Sequence, residues 1–148
     1  MRNIILNTFL VLLLFCMSTC TNLKTLTEDI KNNKEKYNEL AKTVYKCDFS
    51  RFSYGQNIGN EYFPKILVDA LNNTSLKDKV GCISLYKSPY CENTSFNLYI
   101  NPTLLTDVNG GNYTIWYDQC PKDNIYLNEE KMDEWRIDNN WSITKHYR

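Results

Sequence analysis

Thr94-Ser-Phe-Asn-Leu-Tyr-Ile100 and Asn112-Tyr-Thr-Ile-Trp-Tyr-Asp118 decide how this chain folds. Phe96, Leu98 and Ile100 alternate with other residues, as do Tyr113, Ile115 and Tyr117. A repeat of two is the spacing at which side chains of a strand share one face. Pro102 stops the first strand because proline cannot donate to a ladder, and Asn109-Gly110-Gly111 is a strong turn before the second. Working outward, Val80 to Tyr86 reads as a preceding strand and Asn124 to Asn128 as a short following one. Trp135-Arg-Ile137 and Trp141-Ser-Ile143 flank Asp138-Asn139-Asn140 and predict a terminal hairpin. Its last strand sets Trp141, Ile143 and Lys145 against Ser142, Thr144 and His146, the pattern of a half-buried edge or near-edge strand.

Toward the N-terminus the period lengthens. Leu26, Ile30, Tyr37, Leu40, Ala41 and Val44 form a helical stripe broken only near Asn33-Lys34. Thr25-Leu-Thr-Glu28 has capping-box form with Thr25 as N-cap. Together they predict one helix of about twenty residues, roughly 30 Å long, ending near Lys46-Cys47. Its charged face reads as solvated. Asp48 to Phe63 lacks periodicity and reads as a loop, and Gly55-Gln-Asn-Ile-Gly59 lacks the Lys-Ser/Thr of a phosphate loop. Pro64 starts a second, short helix through about Leu71, with Ile66, Leu67 and Ala70 on its buried side. Helices first and strands later predict an α+β fold. A long N-terminal helix and a short second helix pack on an antiparallel meander sheet of about five or six strands.

Met1-Arg2-Asn3 precedes an apolar run from Ile4 to Phe15, and Met17-Ser18-Thr19-Cys20 follows. A charged start, a short apolar core and small residues read as a secretory signal peptide. The run is too short to span a bilayer core of roughly 30 Å. Met17-Ser18-Thr19-Cys20 resembles the lipobox of bacterial lipoproteins, small examples of which have no known function. The resemblance covers only the signal and Cys20. It implies cleavage before Cys20 and acyl chains on that residue, each buried methylene contributing about 0.8 kcal/mol. The membrane is then a partner through the lipid, and the protein belongs to the cell envelope, facing the periplasm or cell surface. A plain secreted protein cut near Ser18 or Cys20 is the alternative. The layout is residues 1–19 as signal peptide, 20–25 as lipidated cysteine and tether, and 26–148 as one globular domain. Five Asn-x-Ser/Thr triplets, at Asn72, Asn73, Asn93, Asn112 and Asn140, follow from an Asn-rich composition and say little about glycosylation.

Export shapes the reading of the cysteines. Cys47, Cys82, Cys91 and Cys120 allow two disulfides in three connectivities. Cys82 and Cys91 flank a stretch able to turn at Lys87-Ser88-Pro89, so the expected pairs are Cys82–Cys91 and Cys47–Cys120. There is no Cys-x-x-Cys and a single histidine, which argues against zinc.

A net charge of zero argues against nucleic acid as a partner. No cofactor motif, metal set or nucleophile–base pair can be assembled. His146 reads as a surface histidine near the C-terminus. Glu129-Glu130 and Asp133-Glu134 read as solvated charges, although a small envelope hydrolase using Asp133 or Glu134 with a second carboxylate is the enzymatic alternative. Eleven Tyr and three Trp are the stronger signal. Tyr99 opposes the Phe96-Leu98-Ile100 face, and Trp116 opposes Tyr113-Ile115-Tyr117. Such rings give large contact area at low entropy cost and suit a protein or glycan partner. Cross-strand aromatic pairs also stabilise sheets with no binding role. The expected function is a non-enzymatic binding module, with an immunity or enzyme-inhibitor protein using the same surface as a further alternative.

Acylation of Cys20 is directly testable by expression in a bacterial host. Wild type is expected to partition into detergent and take up labelled palmitate, and Cys20→Ala to do neither; two aqueous, unlabelled proteins would refute the anchor.

Overall fold

The computed structural model describes residues 23–87, 93–101, 112–120 and 132–146. Cys20, Cys91, the turn at Asn109-Gly110-Gly111, the expected strand Asn124 to Asn128 and the pair Glu129-Glu130 lie outside them. Three α-helices, α1 (Leu23–Asn32), α2 (Lys34–Lys46) and α3 (Lys65–Asn72), accompany six strands. These are β1 (Asn57–Gly59), β2 (Val80–Lys87), β3 (Thr94–Ile100), β4 (Asn112–Tyr117), β5 (Met132–Arg136) and β6 (Trp141–His146). All neighbouring pairs are antiparallel, in the order β1-β2-β3-β4-β6-β5. The α+β class is as expected, but the sheet is not a simple meander. The terminal hairpin inserts β6 beside β4 and leaves β5 at the edge. β6 is therefore an interior strand, buried on both faces from Trp141 to Lys145.

The expected single N-terminal helix is two. At Asn33 the backbone leaves helical geometry (φ −116°, ψ 34°). The Asn33 side chain donates to the Asp29 backbone carbonyl (3.2 Å) and to Asp29 Oδ1 (2.8 Å), local bonds of the kind that compete with a helix ladder. Tyr37 donates from its hydroxyl to Asp29 Oδ2 (2.6 Å) and also meets Ser75 Oγ (3.1 Å). Breaking the helix there lets Leu26 and Ile30 of α1 and Tyr37, Leu40, Ala41 and Val44 of α2 all point inward. Thr25 lies inside α1, so it is not the N-cap. In α3 the buried residues are Leu67 and Leu71, whereas Ile66 is 52% exposed. The Asp48 to Phe63 segment is mostly loop but contains β1, a three-residue edge strand too short to show a repeat.

The expected disulfides are not formed. Cys47 and Cys82 carry free thiols. No bridge joins two described residues, and Cys120 is disulfide-bonded to a partner outside them. Cys47 instead ends α2, its thiol 3.2 Å from the Thr43 carbonyl. Apolar packing holds α2 to the sheet.

All three helices cover one sheet face. That face carries Ile83, Phe96, Leu98, Ile100, Tyr113, Ile115, Trp141 and Ile143, each at most 4% exposed. At its centre stands Trp141. Its ring meets Tyr37 edge-on (5.8 Å, 82°), Phe96 edge-on (6.0 Å, 83°) and Tyr117 tilted (4.7 Å, 60°). Phe96 stacks on Tyr117 (5.2 Å, 23°), and Tyr45 of α2 closes over both.

Asp138 fixes the approach to Trp141. Its Oδ1 accepts from the backbone N–H groups of Asn140 (2.8 Å) and Trp141 (2.9 Å), while Oδ2 pairs with Lys34 Nζ at the start of α2 (2.9 Å). Partial burial on its own would raise the pKa of this carboxyl. The Lys34 ammonium and the two N–H donors outweigh that and hold it below the usual aspartate range. Because the folded value is depressed, the unfolded chain takes up the proton first. The contribution is full above about pH 4, the unfolded aspartate value, and is lost as pH falls through the folded one. Asp138→Ala is expected to cost about 1–3 kcal/mol, since it orphans two N–H groups, and Asp138→Asn less than about 1 kcal/mol, since it removes only a partly exposed ion pair. Urea unfolding at neutral pH and near pH 3 checks both, and the wild-type advantage over Asp138→Asn should shrink at the lower pH.

Candidate functional site

Alternation leaves the second face of the sheet to a different set of residues. Register places Ser84, Asn97, Trp116, Ser142 and Arg136 in one cross-strand row, and Cys82, Tyr99, Thr114, Thr144 and Glu134 in the next. Tyr99 and Trp116 therefore fall on the face opposite the helix-covered core, as their positions in the sequence predict. Both are half-buried. No residue of these two rows belongs to the hydrophobic core.

The unexpected property is burial. Ser84, Ser95, Asn97, Thr114, Ser142 and Thr144 are each at most 3% exposed. A polar strand face ordinarily meets solvent and needs no internal partners. Here rings rise among the small residues. Trp116 donates from its indole N–H to Thr144 Oγ1 (2.7 Å), meets Tyr86 edge-on (5.4 Å, 70°), and Asn97 donates to the Tyr99 hydroxyl (3.2 Å). Burial pushes the Tyr86 and Tyr99 hydroxyls well towards their neutral, donating forms.

Asn97 Oδ1, Thr114 Oγ1 and Ser142 Oγ are buried and have no hydrogen-bond partner. The register shows how they are grouped. Asn97 and Ser142 flank Trp116 on the two neighbouring strands, and Thr114 lies two residues before Trp116 on the same strand and face. Three unpaired polar atoms thus surround one indole. A buried polar atom without a partner costs about 1–3 kcal/mol, and native structures hold only a few per hundred residues. The three lie in register around one ring.

Other polar groups of this face are already engaged. Asp118 Oδ1 accepts from Ser95 Oγ (2.8 Å) and from the Cys120 N–H (3.0 Å). Thr144 Oγ1, which accepts the indole proton, also shares a hydrogen bond with His146 Nε2 (3.3 Å). His146 is therefore half-buried and tied into the Trp116 network instead of standing alone on the surface. Glu134 and Arg136 lie at the β5 edge of the same rows and have interactions of their own.

The described residues of this face are too far apart for the catalytic pairs weighed from the sequence. Asp118 and Glu134 face the same side, but they are separated by four residues along the strands and by two strand spacings, roughly 16 Å. Glycosidase carboxyls stand about 5–9.5 Å apart. Ser142 and His146 are four residues apart on β6, roughly 13 Å. Thr144 is close to His146 but fully buried. The Asp133 side chain lies outside the described residues. Burial raises the thiols of Cys47 and Cys82, with Glu61 adding to the effect at Cys82, so neither is an activated nucleophile. Among the described residues no group of three His, Cys, Asp or Glu side chains can hold a metal. A groove of about 600 Å³ lies between α2 and α3, lined by Glu35, Lys36, Glu39 and Asp69 beside Leu40 and Ile66.

Sequence reasoning found the two rings and missed the polar residues between them. Ser, Thr and Asn alternating with apolar residues read as a solvent face, and no local signal tells a wet polar face from a dry one. Comparison with protein-family models, curated proteins and solved structures returns no match.

A stability test follows from the unpaired atoms. Thr114→Val and Ser142→Ala remove a buried hydroxyl at little change of shape, and each is expected to leave stability unchanged or raise it by about 1 kcal/mol. Thermal unfolding checks this, and a loss above about 1 kcal/mol from either variant would show that its hydroxyl is paired.

Proposed function

We propose that this chain is an exported, lipid-anchored, non-enzymatic binding module whose recognition surface is the Trp116 face of the sheet. The observation that carries the reading is the convergence of Asn97 Oδ1, Thr114 Oγ1 and Ser142 Oγ, all without partners, on a half-buried indole. A purely structural sheet face gains nothing from such atoms, whereas a binding face recovers their cost when a ligand pairs with them. The separated carboxyls and the unactivated thiols favour binding over catalysis. Export and anchoring rest on Met1 to Cys20, with Cys20 as the lipidated residue. Among the described residues no helix is long and apolar enough to cross a membrane, so in this reading the lipid alone holds the domain at the envelope.

Immobilised full-length protein, incubated with envelope extract from its own source cells, is expected to retain a component that Trp116→Ala loses while still unfolding cooperatively on heating. Equal retention by wild type and variant would refute the Trp116 face as the recognition surface. Chemical alteration of the retained component would refute the non-enzymatic reading.

A further inference from the structure

The helix-covered side of the sheet carries a separate opening, independent of the Trp116 reading. A pocket of about 350 Å³ lies between the end of α2, the loop that follows it, and strands β1 and β2. Tyr45, Phe49, Phe52, Tyr54, Ile58 and Leu85 are among its walls. Register sets Ile58 beside Ile83, and Ile83 in one row with Leu98 and Ile115, on the face opposite Trp116. We infer that this pocket takes a small aromatic carboxylate, its ring among the aromatic walls and its charge met at the rim by Arg51 and Lys87.

The interior asks for an apolar body. Its polar groups are already engaged: the Tyr45 hydroxyl donates to the Thr94 carbonyl (2.7 Å), and the Cys47 thiol lies 3.2 Å from the Thr43 carbonyl. None of the buried polar atoms without a partner belongs to these walls. Four aromatic walls favour a ring, which can meet them edge-on or offset. The volume is at the lower end of the roughly 300–1,000 Å³ usual for ligand pockets, which suits a compact fused-ring body. Entry requires no uncovering, because Asp48, Ser50, Ser53 and Tyr54 in the walls are exposed, Tyr54 by 57%.

Charge at the rim selects the headgroup. The Arg51 guanidinium lies over the Phe52 ring (4.8 Å) and the Tyr62 ring (5.2 Å), and the Lys87 ammonium over the Tyr54 ring (5.7 Å). Both residues are exposed, and neither makes an ion pair or hydrogen bond among the described residues. Asp48, the acid in the wall, already accepts from the Ser50 N–H (2.9 Å). Glu61, next to Tyr62, turns toward Gly59 and Cys82 instead. Two cations therefore face one engaged carboxylate. A guanidinium laid flat on rings keeps its N–H edge for a ligand carboxylate. A cationic ligand would compete with Arg51 and Lys87 for the same ring faces and be repelled by both, and a neutral ring would leave both unmet.

The full-length chain in zwitterionic micelles is titrated with naphthalene carboxylate, its neutral isostere naphthalene carboxamide and cationic naphthylmethylammonium, with free concentrations fixed by dialysis. The readout is the methyl signals of Val44, Ile58 and Leu85, with the Trp116 indole N–H as reference on the far face. The carboxylate is expected to shift the three methyl signals saturably, leave Trp116 unmoved, and bind about fivefold more tightly than the amide or the ammonium, the gain of two partly exposed ion pairs. Arg51→Gln combined with Lys87→Gln is expected to bring the carboxylate to the affinity of the amide and leave the amide unchanged. Tyr54→Ala, which removes an exposed ring, is expected to weaken carboxylate and amide alike. No shift of the pocket methyl signals with any ligand, equal or tighter binding of the amide or the ammonium, or unchanged carboxylate affinity in the double variant would overturn the inference. Trp116→Ala is expected to bind the carboxylate as wild type does, so failure of this site and failure of the Trp116 face are read separately.

Discussion

Trp141 is the contact on which the rest of this structure depends. One fully buried indole touches Tyr37 from α2, Phe96 from β3 and Tyr117 from β4, and its own strand, β6, is interior to the sheet. Aromatic pairs of this kind contribute about 0.5–1.5 kcal/mol each beyond the burial of their area. The consequence is topological as well as energetic. With Trp141 on the helix side, the period of two forces Ser142 and Thr144 to the opposite side, against Trp116 and Thr114. A one-residue slip of β6 would bring a serine under α2 and set the indole among the polar residues of the opposite face. The core therefore sets the register, and the register assembles the polar face.

Asp138 extends the same logic to the hairpin. Its two oxygens serve two elements, one gathering the N–H groups of Asn140 and Trp141 and the other meeting Lys34. The start of α2, the tip of the hairpin and the entry of Trp141 are thereby fixed together. Asn140 adds a bond from its side-chain amide to the Asp118 carbonyl (2.7 Å), at the end of β4. The strand carrying Trp116 is held at this end by the hairpin that carries Trp141.

Much of this was legible from residue order. β2, β3, β4 and the hairpin follow from alternation and turn residues, and the placing of Tyr99 and Trp116 opposite the apolar residues follows from parity alone. The helix break at Asn33 left a trace as an interruption of the stripe, but choosing between a bend and two helices needed the Asp29–Asn33 and Asp29–Tyr37 bonds, which an apolar period does not report. β1 was too short to carry a period. The order β4-β6-β5 was invisible because hairpin signals say which strands turn back and not where the pair docks. The cysteine pairing failed for a related reason. Spacing along the chain favoured Cys82–Cys91, but bridging depends on Cβ positions across strands, and Cys82 lies opposite Tyr99 with its thiol free.

The candidate face shows where local rules and global structure diverge. Each of its strands obeys the usual alternation of apolar and polar residues, and a solvated polar face would complete a consistent fold. Among the described residues, burial of that face without partners for Asn97, Thr114 and Ser142 breaks consistency around Trp116. Folding alone would favour alanine and valine there, because removing both the polar atom and its unmet bond is close to neutral or stabilising. Local inconsistencies of this sort are expected where function opposes stability. In the proposed reading these polar atoms, more than the rings, are what a ligand would pair with. The reading of this chain as a binding module therefore rests less on the rings, which many sheets carry, than on the small polar residues between them.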